Sequence, residues 1–520
     1  MSTQSITAVA IDIDTGNKVY EHQLKYLEDW RLNRFGINDD FILPPSVEGE
    51  ANQPPLMFAA ALDAMLDDMR QSSDINLGEV AAINVSAQQH GHVYLNNSHI
   101  NTFYSLNHGA NRKSPHGLED ILAGVFAFPA PIWKTSASKP QADRIREFIG
   151  GQQEIIELSG SDAPARFTGP VIRWMMQTHP EVYRNTSTIQ LLSGLVTGIF
   201  IGTPKAPIGD GAGTLLMDYS TKTWSRRLVD ATTHGLEFSA HSLEYKLPRI
   251  QAPDSFAGNI AKYFVEKYGF SPECKVLVGS GDNPQSKVVV PADSDLLSLG
   301  TSFVYMVPPE KGRRLDLKGY GNSMHDGHGN EFLFYCRTNG AGMINKLMGN
   351  VGWDEANQSL GGISLNDGIF IWQPQDESLP PSKSFNAFRD GYESPDLARD
   401  LNGAINSSLA AIHLYAGGFQ KTDKPLYVTG GMAKSEQVLR RVAAFANRTV
   451  EPIESGAALG AALVGARAYL KKEKISTEHL DRVFSIGNSF TPLQTDVRDI
   501  PASGLFLSRF QREYTKLIGG

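Results

Sequence analysis

Two short apolar runs, each closed by a turn of small polar residues, set the strongest limit on how this chain can fold. Val276-Leu277-Val278 leads into Gly279-Ser280-Gly281-Asp282-Asn283-Pro284, and eighteen residues beyond Asp282 a second run ends in Leu299-Gly300-Thr301-Ser302. Apolar runs bounded by glycine-rich turns read as strands, and residues just past a strand's carboxyl end can face a ligand. A carboxylate there can take a proton from a hydroxyl, and a Gly-Thr-Ser turn offers N–H groups and hydroxyls to a phosphate. Phosphoryl transfer to an alcohol needs both. Taken singly, each piece has a plainer reading. Gly281-Asp282-Asn283-Pro284 is ordinary turn chemistry, Gly300-Thr301-Ser302 is a common loop, and Gly430-Gly431 suits any strand-to-helix connection.

A chain of 520 residues outgrows a single hydrophobic core, so two large domains are expected, 1–284 and 285–520, with a cleft between them. A net charge of −8 calls for no basic face, which argues against a nucleic-acid or membrane-surface partner but leaves room for a local ATP site. Only Cys274 and Cys336 occur, no leader-like segment opens the sequence, and a reducing, cytoplasmic setting is expected. The longest apolar stretch, Ile189 to Gly202, is broken by Ser193, Gly194, Thr197 and Gly198 and reads as a buried helix and turn.

Along the chain, Ile6 to Ile13 and Lys18 to Leu24 flank the turn Asp14-Thr15-Gly16-Asn17 as a hairpin. Pro54-Pro55 opens a helix with Phe58, Leu62, Met65, Leu66 and Met69 on one face, and Val80 to Ser86 follows as a strand. This order indicates an α/β layer architecture. Ser255 to Tyr268 is expected to be helical. After Thr301 come strands near 302–307, 331–336 and 426–429, helices near 396–416 and 435–446, and a small-residue helix at Ala457-Ala458-Leu459-Gly460-Ala461-Ala462. Gly460 there lets the backbone approach either a flat ligand or a neighbouring helix. The segment from Pro492 onward is expected to be peripheral.

Gln88-Gln89-His90-Gly91 ends the Val80 strand, where Gln89 and His90 can hydrogen-bond a polyhydroxylated substrate; the plainer reading is a satisfied loop histidine. Trp133 can stack on a sugar face or simply pack in the core. No histidine cluster has metal-ligand spacing, so no protein-held metal is expected.

The order of these pieces resembles the FGGY family of carbohydrate kinases, ATP-dependent enzymes that phosphorylate pentuloses, hexuloses and polyols. Within it, the chain is most similar to the eukaryotic-type xylulokinases. The resemblance rests on Ser2-Thr3-Gln4-Ser5, Gln88-Gln89-His90-Gly91, Arg166-Phe167-Thr168-Gly169, Gly281-Asp282-Asn283-Pro284, Ser298-Leu299-Gly300-Thr301-Ser302 and Asn339-Gly340, and spans nearly the whole chain. It implies two ribonuclease-H-like domains of the actin/hexokinase-like ATPase type, with ATP and Mg²⁺ in the interdomain cleft, a ketopentose as acceptor, D-xylulose foremost, and a homodimer as one open assembly. It implies further that Asp282 is the catalytic base and that Gln89, His90, Trp133, Asp282 and Asn283 hold the sugar. The nucleotide falls to Thr3, Gln4, Ser5, Gly300, Thr301, Ser302, Gly340, Gly430, Gly431 and Ser435.

The sequence departs from the family pattern twice. The family opens on an apolar strand ending in a metal-holding Asp, whereas this sequence starts at the turn itself, with Met1 in the place of the residue between that Asp and Ser2. A start site further upstream and a catalytically impaired paralogue with a binding role are the two readings of that difference. Second, the acidic residue usual two positions after the site tryptophan is Thr135 here, which leaves another ketose or polyol open as substrate. An actin-like ATPase acting on no sugar would leave Gln89-His90-Gly91 without a purpose.

Overall fold

The computed structural model describes residues 1–108, 117–310, 315–487, 489 and 499–519. The chain divides into two compact units. The first comprises Met1–Val289, Met324–Glu331 and Gly456–Asp481, and the second Val290–Ser323, Phe332–Ser455 and Arg482–Gly520.

The first unit opens with the expected hairpin. Ser5–Ile11 pairs antiparallel with Lys18–Lys25, and the Asp12 carboxylate holds the connecting turn by accepting from the Thr15 N–H at 2.8 Å. Helix Pro55–Gln71 starts where Pro55 can sit without losing a hydrogen bond, and buries Met57, Phe58, Leu62, Met65 and Leu66. The Val80 strand forms as two short pieces, Ala82–Ile83 and Ser86–Ala87, which pair in parallel with Lys275–Leu277 and Ser280–Gly281. Val276 stands opposite Ile83 and Ser280 opposite Ser86, so the three residues 277–279 oppose only the two residues 84–85. This is a bulge, and Gly279 absorbs it: its φ is +76°, and a Cβ there would lie 2.6 Å from the Val85 carbonyl oxygen. The bulge sits just before Asp282.

One expectation fails in this unit. Residues 256–259 are a strand, antiparallel to Lys275–Leu277, and the helix begins only at Lys262. The edge of Lys275–Leu277 offers ladder hydrogen bonds that outweigh the local helical pattern. The apolar stretch from Ile189 holds the expected buried helix, Leu192–Ile201, all ten of whose residues are buried, with a left-handed turn at Gly202, while Ile189–Leu191 end strand Thr186–Leu191. No helix of the described residues is long and apolar enough to cross a membrane. Gly460 meets a neighbouring helix: a Cβ there would sit 1.8 Å from the Gln285 carbonyl oxygen, so helix Ala457–Lys472 presses directly on helix Asp282–Lys287.

The second unit is built on a six-stranded sheet in the order Asn322–His325, Glu331–Arg337, Phe303–Val307, Leu296–Leu299, Leu426–Thr429, Val450–Pro452. Leu296–Leu299 runs parallel to Leu426–Thr429, which brings the carboxyl ends of both strands to the same edge. Helices Ala341–Met348, Leu397–Tyr415 and Glu436–Ala446 contribute Ile344, Leu401, Ile405, Val438 and Val442 to its core. The C-terminal segment is not peripheral, although 492–498 lie outside the described residues. Helix Asp499–Ile518 buries Phe506, Phe510 and Tyr514, a stripe spaced four residues apart, and the Tyr514 hydroxyl donates to Gln373 at 2.9 Å.

Candidate functional site

Asp282 is the first residue of helix Asp282–Lys287, directly after the paired residues Ser280–Gly281, and is half-buried. Its two carboxylate oxygens have different surroundings. Oδ1 accepts from the Asn283 N–H at 2.9 Å, the Asn283 side-chain amide at 3.1 Å and the Gln89 N–H at 3.4 Å, while Oδ2 has no partner among the described residues. Burial raises its pKa from the ordinary 3.8, against the lowering effect of the Asn283 and Gln89 N–H groups. The result is an anchored carboxylate of increased basicity with one oxygen open. Gln89 and Asn283 are joined side chain to side chain at 3.0 Å, so the two sequence motifs meet at Asp282.

His90 lies beside them in a left-handed backbone conformation, φ +67°, which few residues other than glycine adopt. Its ring stacks on Phe167 at 4.3 Å between centroids, and its Nδ1 lies 2.7 Å from the Gly213 carbonyl oxygen. A carbonyl can only accept, so the proton sits on Nδ1 and Nε2 keeps its lone pair. Burial, helped by the positive charge of Arg166, lowers the His90 pKa to about 3. The ring is therefore a neutral acceptor at physiological pH, suited to a substrate hydroxyl.

Met1 to Ser5 run alongside. The Met1 backbone bonds to Ser86 and Gln88 on either side of Ala87, in parallel register. Thr3 Oγ1 donates to Gln88 at 3.0 Å and accepts from the Trp133 indole at 2.8 Å, so Trp133 is held edge-on by the N-terminal turn with 40% of its surface exposed. Gln4 is exposed, and Ser5 is buried in the hairpin, where its hydroxyl meets those of Ser2 and the Gln23 amide. Thr135 is 2% exposed and its hydroxyl donates to the Ala51 carbonyl at 2.9 Å. Its side chain braces the chain behind Trp133.

In the second unit the glycine turns gather at one sheet edge. Gly430 runs against the end of Leu296–Leu299, where a Cβ would come within 2.6 Å of the Leu299 carbonyl carbon and 3.0 Å of the Gly300 nitrogen. Gly300 and Thr301 in turn accept from the Ala341 and Gly342 N–H groups at 3.0 Å, which places Gly340 at the same edge, and Ser302 donates to Thr338 at 3.3 Å. The N–H groups of Thr301, Ser302 and Gly431 meet no acceptor among the described residues, the Thr301 side chain is exposed, and nothing stands within 4 Å of a Cβ at Gly431. This open set of donors fits the oxygens of a phosphate chain. Ser435 does not belong to that set: it is buried, caps helix Glu436–Ala446 by accepting from the Val438 N–H, and donates to Asn357. Thr3, Gln4 and Ser5 belong to the first unit and the glycine turns to the second.

One residue of the site escaped the sequence reading. Asp210, within the small-residue loop Asp210-Gly211-Ala212-Gly213-Thr214, is 6% exposed and accepts from the Ser193 hydroxyl at 3.1 Å. Its Oδ2 lies 2.9 Å from where a Cβ on Gly281 would be, which puts a second carboxylate next to Asp282. Burial, with the Asp282 charge adding to it, pushes the Asp210 pKa up to about 6. The one signal available was the loop's run of small residues, which also supplies the Gly213 carbonyl to His90.

Residues 127–288 match the N-terminal domain model of the FGGY family of carbohydrate kinases. Over 505 residues, 91% of this chain and 87% of the relative, the chain is 28% identical to xylulose kinase 2 of Arabidopsis thaliana. It is 32% identical to a probable D-xylulose kinase A of Neosartorya fischeri over 312 residues, 59% of this chain and 52% of that one. The structure superposes on a ligand-bound xylulose kinase of Lactobacillus acidophilus with a TM-score of 0.79 at 16% identity, covering 100% of this chain and 97% of the other. The fold is that of the FGGY sugar kinases, a two-domain, actin-like ATPase fold. Sequence and architecture agree: residues 127–288 match the N-terminal domain of the FGGY family of carbohydrate kinases, and the chain as a whole is similar to xylulose kinases.

Proposed function

We propose that this chain is an ATP-dependent kinase that phosphorylates D-xylulose to D-xylulose 5-phosphate. The observation that carries the reading is the unequal Asp282 carboxylate, with Oδ1 anchored and Oδ2 open, beside a neutral His90 whose Nε2 can accept a hydroxyl. The first unit supplies base and sugar contacts. Oδ2 takes the proton of the attacking hydroxyl as that oxygen bonds to the γ-phosphorus and the bond from phosphorus to the β–γ bridging oxygen breaks, releasing ADP. His90 Nε2, Gln89 and Asn283 orient the other hydroxyls, and Trp133 closes the sugar side. The second unit supplies N–H groups at Thr301, Ser302 and Gly431 to the phosphates of MgATP, with Gly300, Gly340 and Gly430 keeping that edge free of side chains. Catalysis of this kind is mostly positioning and charge stabilisation. Mg²⁺ enters as part of the nucleotide, which needs few protein ligands; among the described residues no group of three His, Cys, Asp or Glu side chains could hold a metal. With two cysteines in the sequence, Cys274 and Cys336, and neither in a disulfide, we place the protein in a reducing setting, the cytoplasm.

The test is ADP release with MgATP and D-xylulose, L-xylulose, D-ribulose, D-fructose or glycerol. Release stimulated most by D-xylulose supports the reading. A different preferred ketose or polyol moves the substrate, and nucleotide binding without sugar-stimulated release leaves a binding role in place of catalysis.

A further inference from the structure

In the first unit, a cavity of about 470 Å³ is lined by residues that take no part in the site described above. Arg144 and Phe148 reach it from helix Lys139–Ile149, Arg173 and Gln177 from helix Thr168–Thr178, and His234 and Leu236 come just after helix Arg226–Thr233.

Arg173 gives the cavity its character. It is 8% exposed, and its Nη1 donates to the carbonyls of Thr232 and His234 at 2.9 Å each, closing the end of helix Arg226–Thr233, where carbonyls lack helical partners. That employs one nitrogen of three. Nε is buried without an acceptor, and Nη2 has none among the described residues. All of its hydrogen bonds go to backbone carbonyls, so the buried guanidinium lacks a carboxylate counter-charge, a costly arrangement. A second cation faces the same space. Arg144 pairs with Glu147 at 3.1 Å, and its charge adds to burial in lowering the Arg173 pKa. The Gln177 carbonyl oxygen is occupied by the Gln141 amide at 2.9 Å, which leaves its NH₂ as a donor. Opposite these donors, His234 lies on Phe148 at 4.6 Å between ring centroids, beside Leu236. The space exceeds what a lone inorganic anion fills and suits a metabolite-sized molecule.

We infer that this cavity is a binding site for a small organic oxyanion, with a phosphate or carboxylate head on Arg173, Arg144 and Gln177 and an apolar body against Phe148, His234 and Leu236. A guanidinium with free N–H groups is the group best matched to such a head. The site has a mechanical neighbour: Thr168, at the start of the helix that carries Arg173, donates to the His90 carbonyl at 3.3 Å, roughly one and a half helical turns away.

The test is titration calorimetry on the full chain with phenyl phosphate, benzoate, inorganic phosphate and benzyl alcohol, repeated on Arg144→Glu/Gln177→Glu. Those two positions leave the Arg173 helix closure in place, and an unchanged melting temperature and ADP release verify the variant's fold. The expected result is that phenyl phosphate or benzoate binds the wild type more tightly than inorganic phosphate or benzyl alcohol does, and binds the variant at least about tenfold more weakly. Which of the two heads binds better identifies the phosphate or carboxylate class. Equal binding to wild type and variant, or no binding of either aromatic anion up to about 10 mM, overturns the proposal.

Discussion

The candidate sites of the two units are made of different materials. In the first unit the work falls to side chains crossed by hydrogen bonds, half-buried Asp282 and Asn283 with buried Gln89 and His90, and burial raises the pKa of Asp282 and lowers that of His90. In the second it falls to backbone, with the N–H groups of Thr301, Ser302 and Gly431 open and Gly340 and Gly430 packed directly on neighbouring backbone. A phosphate chain presents the same oxygens whatever the acceptor sugar, so peptide N–H groups suffice. A ketose differs from its relatives by the direction of single hydroxyls, which only fixed donors and acceptors can discriminate.

Substitutions that touch one material should therefore leave the other's function alone. The largest effect is expected for Asp282→Asn, which should lower kcat by about three orders of magnitude while nucleotide affinity, measured by fluorescent-analogue displacement, stays nearly unchanged. Retained turnover would remove Asp282 from its role. Next comes Asp210. Its folded pKa of about 6 exceeds the ordinary 3.8, so its contribution to stability is fully present below pH 3.8 and is lost as pH rises through 6. Asp210→Asn should consequently gain on the wild type by about 2–3 kcal/mol between pH 4 and pH 8 in urea unfolding, and a flat difference would show that burial does not burden this carboxylate. His90→Gln should raise the sugar KM by about 10- to 100-fold with little change in the KM for ATP. Because His90 is neutral down to about pH 3, the wild-type sugar KM should show no inflection near 6.5 from this group. Last, Gly430→Ala, at φ +96° and against the Leu299 backbone, should cost about 1–2 kcal/mol of stability and raise the KM for ATP alone. A parallel rise in the sugar KM would break the division between the two units.

Legibility in the sequence divides along the same line. Local chemistry was legible: the Asp14 to Asn17 turn, Pro55 at a helix start and the glycines after Leu299 and Thr429 act within a few residues of themselves. Long-range chemistry was not. Asp210 reaches the site from a loop some seventy residues before Asp282. Strand Phe256–Asn259 exists because a distant edge needed a partner, and Ser435 and Thr135 spend their hydroxyls on the protein itself. The stripe Phe506, Phe510, Tyr514 was visible in the sequence, but the large core awaiting it was not.

The bulge at Gly279 gives this fold a spatial reading frame. Side chains along a strand alternate between faces, so the pairing on either side of 277–279 determines which side chain emerges at the site. Deleting Gly279 would set residues 277–278 against 84–85 one to one, with Ser280 still opposite Ser86 and Asp282 still at the strand end. An added residue, not a lost one, is what would move Asp282 out of register, so the loop tolerates shortening at this point and not lengthening.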